Sequence, residues 1–203
     1  MLRLYDILDT ASEKAFDDLT RLAASICQTP MSLVSLVDDK RQWFKSRYGL
    51  DATETPREVA FCAHAIQSKD VMVIEDAKLD SRFADNPLVT GDPLIRFYAG
   101  APLFVEEGYC LGTLCVIDRR PRKLDAEQLE SLALLRDSVV SLLELRRVQK
   151  QLRFLQKIVP VCAWCSRVAI SNGKSVAWKS ADEYMRDIAP ASHGMCPTCS
   201  SAH

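Results

Sequence analysis

Long apolar runs are missing from this sequence. No stretch approaches the ~20 residues that a membrane-spanning helix requires, so no bilayer crossing is expected. Charge of one sign is equally scarce: Lys and Arg number 26 against 27 Asp and Glu, a formal net charge of −1. That balance argues against a protein whose main task is electrostatic binding of nucleic acid or acidic membrane. The first residues, Met1-Leu2-Arg3-Leu4-Tyr5-Asp6, have neither the basic start nor the apolar stretch of a secretion signal, which predicts a cytoplasmic protein. There is no phosphate-binding glycine loop, no His-Glu-x-x-His motif and no Ser/His/Asp set, and no internal repeat or low-complexity tract. What is present is an ordinary globular composition, 48% hydrophobic and 26% charged over 203 residues. That is enough for one domain and something small besides.

Cysteine, by contrast, is plentiful, with eight in the chain. Cys27, Cys62, Cys110 and Cys115 are scattered; Cys162/Cys165 and Cys196/Cys199 form two C-x-x-C pairs. In a reducing compartment such pairs point to metal before disulfide. Four thiolates at ~2.3 Å enclose one Zn²⁺ in a closed structural site. An iron–sulfur cluster is the other four-cysteine solution, and a redox switch built from the C-x-x-C pairs is a third. His193, three residues before Cys196, is either a substitute ligand or a hydrogen-bonding neighbour.

Hydrophobic spacing places the elements. Residues 13–27 carry Phe16, Leu19, Leu22, Ala23 and Ile26 on one helical face, with Ser12 as the expected N-cap and Thr29-Pro30 as the stop. Residues 31–37 and 42–48 read as a hairpin around Asp38-Asp39-Lys40, and 58–67 as a short helix. Strands are expected at 71–74, 97–104 and 110–117, and an irregular Asp/Asn/Pro/Gly-rich segment at 75–95. This order predicts an α+β domain on a mainly antiparallel sheet.

From Asp125 to about residue 157 the period is helical. Leu132, Leu135, Val139 and Leu142 form a seam that re-phases onto Leu145, Val148, Leu152 and Leu155. A helix of ~30 residues is ~45 Å long, more than the preceding domain covers, so its second half is expected to pair with the same helix of a second subunit. Beyond it, residues 168–170 and 175–178 flank Asn172-Gly173 as a hairpin. Ser180-Ala181-Asp182-Glu183 opens a short helix as a capping box. A ~45-residue segment with few large apolar residues needs metal to fold.

Phe61-Cys62-Ala63-His64-Ala65-Ile66, Arg41-Gln42-Trp43-Phe44-Lys45-Ser46, Asp85-Asn86-Pro87-Leu88-Val89, Arg96-Phe97-Tyr98-Ala99-Gly100-Ala101-Pro102-Leu103 and Leu111-Gly112-Thr113-Leu114-Cys115-Val116-Ile117-Asp118 resemble a large bacterial branch of GAF domains over residues 4–150. The resemblance implies a sheet of five or six antiparallel strands flanked by helices, and a sensory role ahead of a signalling output. It also implies a ligand pocket lined by Trp43, Phe61, Cys62, His64, Asp85, Asn86, Phe97 and Tyr98. The signature of cyclic-nucleotide-binding members is not found, and Cys62-Ala63-His64 departs from the Cys-His of bilin-binding ones. Cys62 and His64 diverge by ~200° if they stand on a helix. Residues 158–200 resemble a short cysteine-bearing module at the end of some sensory proteins, treble-clef-like in order.

The expected organisation is therefore a sensory domain at 1–123, a long signalling and dimerisation helix at 124–158 and a four-cysteine zinc module at 159–203. The expected protein is a stand-alone, non-enzymatic sensor or adaptor that forms a homodimer through residues 125–157. It would carry one structural Zn²⁺ per chain and an unidentified small-molecule ligand, and would meet a signalling protein partner, with no nucleic acid and no membrane. A redox or metal sensor using the C-terminal cysteines is one alternative. A methionine sulfoxide reductase-like enzyme using Cys62, Cys110 or Cys115 is the other. Cys110 and Cys115, five apart on one strand, are expected to face opposite ways and to make poor partners.

Overall fold

The computed structural model describes residues 2–105, 108–156, 159–162, 164–165, 167–171, 176–180 and 191–194. They divide into two units, Met1–Arg147 and Val148–His203. The first unit begins with helices α1 (Leu2–Tyr5) and α2 (Lys14–Ile26), followed by strands β1 (Met31–Val37), β2 (Arg41–Tyr48) and β3 (Glu54–Pro56). A 3₁₀ turn (Arg57–Val59) leads into α3 (Phe61–Ala65), then come β4 (Met72–Ile74), α4 (Pro87–Thr90), β5 (Phe97–Phe104), β6 (Cys110–Asp118) and the long α5 (Ala126–Gln156).

The six strands form one sheet in the order β3-β2-β1-β6-β5-β4, and every neighbouring pair is antiparallel. This is the expected α+β architecture. Both faces of the sheet are covered, which is why all seven residues of β1 are buried, Ser32 and Ser35 included. One core lies on the side of α2 and α5, with Phe16, Trp43, Phe97, Leu114, Leu132 and Val139. The other lies under α3 and the 75–95 segment, with Phe44, Phe61, Cys62, Phe83, Tyr98 and Cys115.

Local differences from the sequence reading have physical causes. Helix α2 starts one residue later than expected. Glu13 is its N-cap, with no side-chain cap bond, because the Glu13 carboxylate is taken by Lys45 and Arg146. The helix expected at 58–67 is broken at Ala60, whose backbone is extended, leaving a 3₁₀ turn and the five residues of α3. The irregular 75–95 segment contains only the four-residue α4, where Asn86 caps the Leu88 N–H at 2.8 Å and Pro87 occupies the first turn. Helix α5 opens with a reciprocal cap: the Gln128 N–H donates to Asp125 Oδ1 at 2.8 Å, and the Asp125 N–H to Gln128 Oε1 at 3.2 Å.

The strands also carry a bulge. Val34 pairs with Ser46 but Ser35 with Phe44, so Lys45 is the extra residue in β2, and Lys45 and Ser46 both turn toward α2. Ser46 accepts from Thr20 and donates to Asp17, and Lys45 reaches the chain before α2.

In the second unit, β7 (Val159–Cys162), β8 (Val168–Ser171), β9 (Val176–Lys179) and β10 (Ala191–Gly194) form a sheet in the order β10-β7-β8-β9. Strands β8 and β9 are antiparallel, the pairing expected of the 168–178 hairpin, and β10 runs parallel to β7 with Gly194 beside Cys162. The Asn172-Gly173 turn, the helix expected from Ser180, and Cys196 and Cys199 lie outside the described residues. Among the described residues no helix is long and apolar enough to cross a membrane.

Candidate functional site

The α3 face brings together part of the expected pocket. Phe61 stacks on Phe83 with ring centres 4.1 Å apart and planes 8° apart, and leans on Tyr98 at 5.3 Å. Phe61, Phe83 and Tyr98 are all buried, so their rings fill the space between α3 and the sheet. Next to them the Cys62 sulfur accepts from Thr113 Oγ1 at 3.0 Å and the Tyr98 hydroxyl at 3.3 Å, and its thiol faces the Cys115 sulfur at 4.0 Å. Tyr98 reaches Cys62 by lying across Gly100, where a Cβ would stand 2.1 Å from the hydroxyl. Burial pushes the Cys62 thiol up, but the converging donors outweigh it and hold the pKa down at about 7. The cost falls on the neighbours. The hydrogen bond with Cys62 and burial both raise Cys115, and burial and the facing Cys62 sulfur raise Tyr98.

The other expected pocket residues do not converge there. Cys62 and His64 stand on α3, and the divergence calculated for a helix holds: Cys62 is buried while His64 is exposed, its ring edge-on to Phe83 at 4.9 Å. Asp85 is exposed, and Asn86 caps α4 and donates to the Val59 carbonyl at 3.0 Å. Trp43 and Phe97 belong to the core on the opposite face of the sheet. Alternation places them there: Phe97 and Tyr98 are adjacent in β5 and so point to opposite faces.

On that opposite side a groove of about 680 Å³, bordered by Asp9, Asp17, Arg21, Trp43, Lys45 and Arg47, escaped the sequence reading. Alternation lines it with Trp43 and Lys45, and the bulge in β2 adds Ser46. The Lys45 side chain is fully buried, and its ammonium donates to Thr10 Oγ1 (2.9 Å), the Ala11 carbonyl (2.7 Å) and Glu13 Oε1 (2.7 Å). Arg146 of α5 shares that carboxylate oxygen at 2.5 Å and also donates to the carbonyls of Tyr5 and Asp6. Burial raises the Glu13 pKa, and the two cations more than reverse this, leaving it below the ordinary carboxylate value. A lysine directly after Trp43-Phe44 in a strand is the one sequence signal that was available.

Helix α5 carries two apolar stripes. Leu132, Leu135, Val139 and Leu143 are buried against the sheet. Leu134, Leu145, Val148 and Leu152 are exposed, at 61%, 52%, 44% and 52%. With Ser138 and Ser141, also exposed, they follow a 4-3-4-3-4 spacing. The re-phasing seen in the sequence is thus a change of face: the first seam closes the domain's own core, and the second continues an outward stripe that begins at Leu134.

Of the four expected metal ligands, Cys162 is buried at the end of β7 and Cys165 is half-buried, both packed with Trp178. The Cys162 N–H donates to the Arg167 carbonyl at 2.7 Å, closing the knuckle between them.

A six-stranded antiparallel sheet with helices α2 and α5 on one face and α3 on the other defines a two-faced α+β domain. The comparisons agree. The GAF domain family matches residues 12–141, and the chain belongs to that family. A cyclic di-GMP phosphodiesterase of Pseudomonas aeruginosa is 51% identical over 122 residues, 60% of this chain and 21% of that protein; the chain therefore spans about a fifth of that relative. Among solved structures, the GAF domain of an Acinetobacter phosphoenolpyruvate-protein phosphotransferase superposes with a TM-score of 0.55 at 17% identity, covering 70% of this chain and 89% of that one. A free methionine-R-sulfoxide reductase of Neisseria meningitidis does so with 0.55 at 16%, covering 73% and 88%. At such identities these are likenesses of fold.

Proposed function

We propose that this chain is a signal-transduction sensor or adaptor that works as a homodimer. Its GAF domain biases the packing of α5, and the C-terminal residues form a zinc-stabilised module that meets a signalling protein. The observation that carries the reading is the outward stripe of α5. Four large apolar residues at heptad spacing are exposed on a helix ~46 Å long, the pattern that a second copy of the same helix buries. The relative supports a signalling context, since the shared region is a GAF domain in a protein named for cyclic di-GMP. Its phosphodiesterase activity is not carried over to this chain. The likeness to the sulfoxide reductase is one of fold and assigns no turnover to Cys62, Cys110 or Cys115.

For the input, the rings of Phe61, Phe83 and Tyr98 already occupy the α3 side. A small molecule would enter there only by displacing α3 and Phe83. For the output, zinc is supported by donor chemistry and by topology. Four thiols in two C-x-x-C pairs suit a closed Zn²⁺ site, and the β7–β10 register sets Gly194, two residues before Cys196, beside Cys162. Cys162, Cys165, Cys196 and Cys199 would hold the ion, which would supply the folding energy of a unit with a small core.

Light scattering tests the dimer. The 203-residue chain is expected at twice its own mass, and Leu145→Glu/Val148→Glu at the single-chain mass with unchanged circular dichroism; a monomeric wild type would overturn the reading. Elemental analysis tests the module. One zinc per chain, lost in Cys196→Ser/Cys199→Ser, is expected. Iron with visible absorbance would instead make the C-terminal cysteines the sensor.

A further inference from the structure

We infer that Cys62 and Cys115 are an oxidation site, at which a hydroperoxide converts the two thiols to a disulfide that ties α3 to the centre of the sheet. This goes beyond the function proposed above and does not depend on dimerisation or on zinc. It starts from placement. The two sulfurs lie 4.0 Å apart, so ~2 Å of approach separates them from a bond of ~2.05 Å. The ends differ in freedom. Cys115 is held in β6, paired with Leu33 of β1 on one side and Gly100 of β5 on the other. Cys62 stands in a five-residue helix between the extended Ala60 and the largely exposed 67–70 segment, and α3 is the part that would move.

The surroundings treat the two sulfurs differently. Cys62 accepts from the Thr113 and Tyr98 hydroxyls, while Cys115 faces the Cys62 thiol at 4.0 Å. Two hydroxyls converging on one sulfur stabilise its anionic form, the form that attacks an oxidant. The thiols of buried Cys27 and half-buried Cys110 lack this support: burial holds both up at about 11, and Cys110 donates to the Gly112 carbonyl. Burial of both sulfurs restricts the site to small oxidants, of which hydrogen peroxide is the smallest hydroperoxide.

The chemistry balances in two steps. The Cys62 sulfur attacks the terminal oxygen of the hydroperoxide, the O–O bond breaks, and the leaving alkoxide or hydroxide takes the thiol proton, giving an alcohol or water and a Cys62 sulfenic acid. The Cys115 sulfur then attacks the Cys62 sulfur, the S–O bond breaks, and the hydroxide leaves with the Cys115 proton as water. Two thiols have lost two electrons, and the hydroperoxide has gained them.

The test uses the reduced full-length protein, treated with hydrogen peroxide at neutral pH, alkylated, digested and mapped by mass spectrometry. A Cys62–Cys115 linked peptide is expected, appearing at least about tenfold faster than Cys27 or Cys110 lose their thiols. In Cys115→Ser, Cys62 is expected to stop at a sulfenic acid trapped by dimedone; in Cys62→Ser, Cys115 is expected to stay a thiol. Thr113→Val, which leaves both sulfurs in place, is expected to slow the reaction. The inference is overturned if Cys62 and Cys115 are still alkylated after Cys27 or Cys110 has oxidised, or if Cys62 pairs with a C-terminal cysteine instead. The wild-type map decides alone where a cysteine variant fails to fold.

Discussion

Lys45 and Ser46 show what one inserted residue changes. Alternation with Trp43 and Phe44 sends Lys45 to the α2 face, where its ammonium is held by Thr10, Ala11 and Glu13, and the bulge keeps Ser46 on that same face. Removing the amine strands a backbone carbonyl and a threonine hydroxyl, while Glu13 keeps Arg146. Lys45→Met is therefore expected to cost about 1–3 kcal/mol in urea unfolding, less than a wholly buried pair. Glu13 has a lowered pKa in the folded protein. Its contribution is present above its unfolded value and is lost as pH falls through the folded one. The melting temperature should drop as pH falls below the ordinary glutamate value of 4.5, and Glu13→Gln should flatten that drop. Gly100 is the other residue where a single atom decides. A Cβ there meets the Tyr98 hydroxyl at 2.1 Å, so Gly100→Ala is expected to destabilise by about 1–3 kcal/mol and to break the Tyr98–Cys62 bond.

At the scale of elements, α5 separates two roles that look alike in sequence. Leu132 and Leu134 are both leucines two positions apart, yet one is fully buried and the other 61% exposed. Leu132→Ala and Leu143→Ala should each cost about 2–5 kcal/mol in chemical unfolding. Leu134→Ala should change monomer stability by less than about 0.5 kcal/mol and instead weaken self-association. Dilution series of the two kinds of variant distinguish them. Periodicity made the helix and its inner seam legible, since 3.6-residue spacing needs no partner to be recognised. It did not show that Leu134 belongs with Leu145 and Val148, because the exposed serines at 138 and 141 interrupt the stripe. Likewise, β1, β2, β5 and β6 were readable from alternation and turn residues. The three-residue β3 and the four-residue α1 and α4 were not, being too short to show a period and fixed by what they pair or pack with.

For the whole molecule, the division at Arg147/Val148 predicts that a fragment ending at Arg147 keeps the GAF fold and unfolds cooperatively, as circular dichroism would report. The same fragment should self-associate on the order of tenfold more weakly or worse, having lost Val148 and Leu152 from the outer stripe. Elemental analysis should find its metal content gone, since the C-x-x-C pairs lie beyond residue 147.

The amino-acid sequence by itself determined the class of fold, the order of its long elements, the family motifs and the presence of two C-x-x-C motifs. Each of these rests on local spacing and side-chain chemistry, which a linear chain displays. Tertiary structure decided what depends on residues far apart meeting. Strand alternation sent Trp43 and Phe97 to the face opposite Phe61 and Tyr98. One bulge put Ser46 on the same face as Lys45, beside α2, along the polar groove. The crossing of α3 over β6 set Cys62 against Cys115, 53 residues further along, a neighbour that no spacing rule could have named.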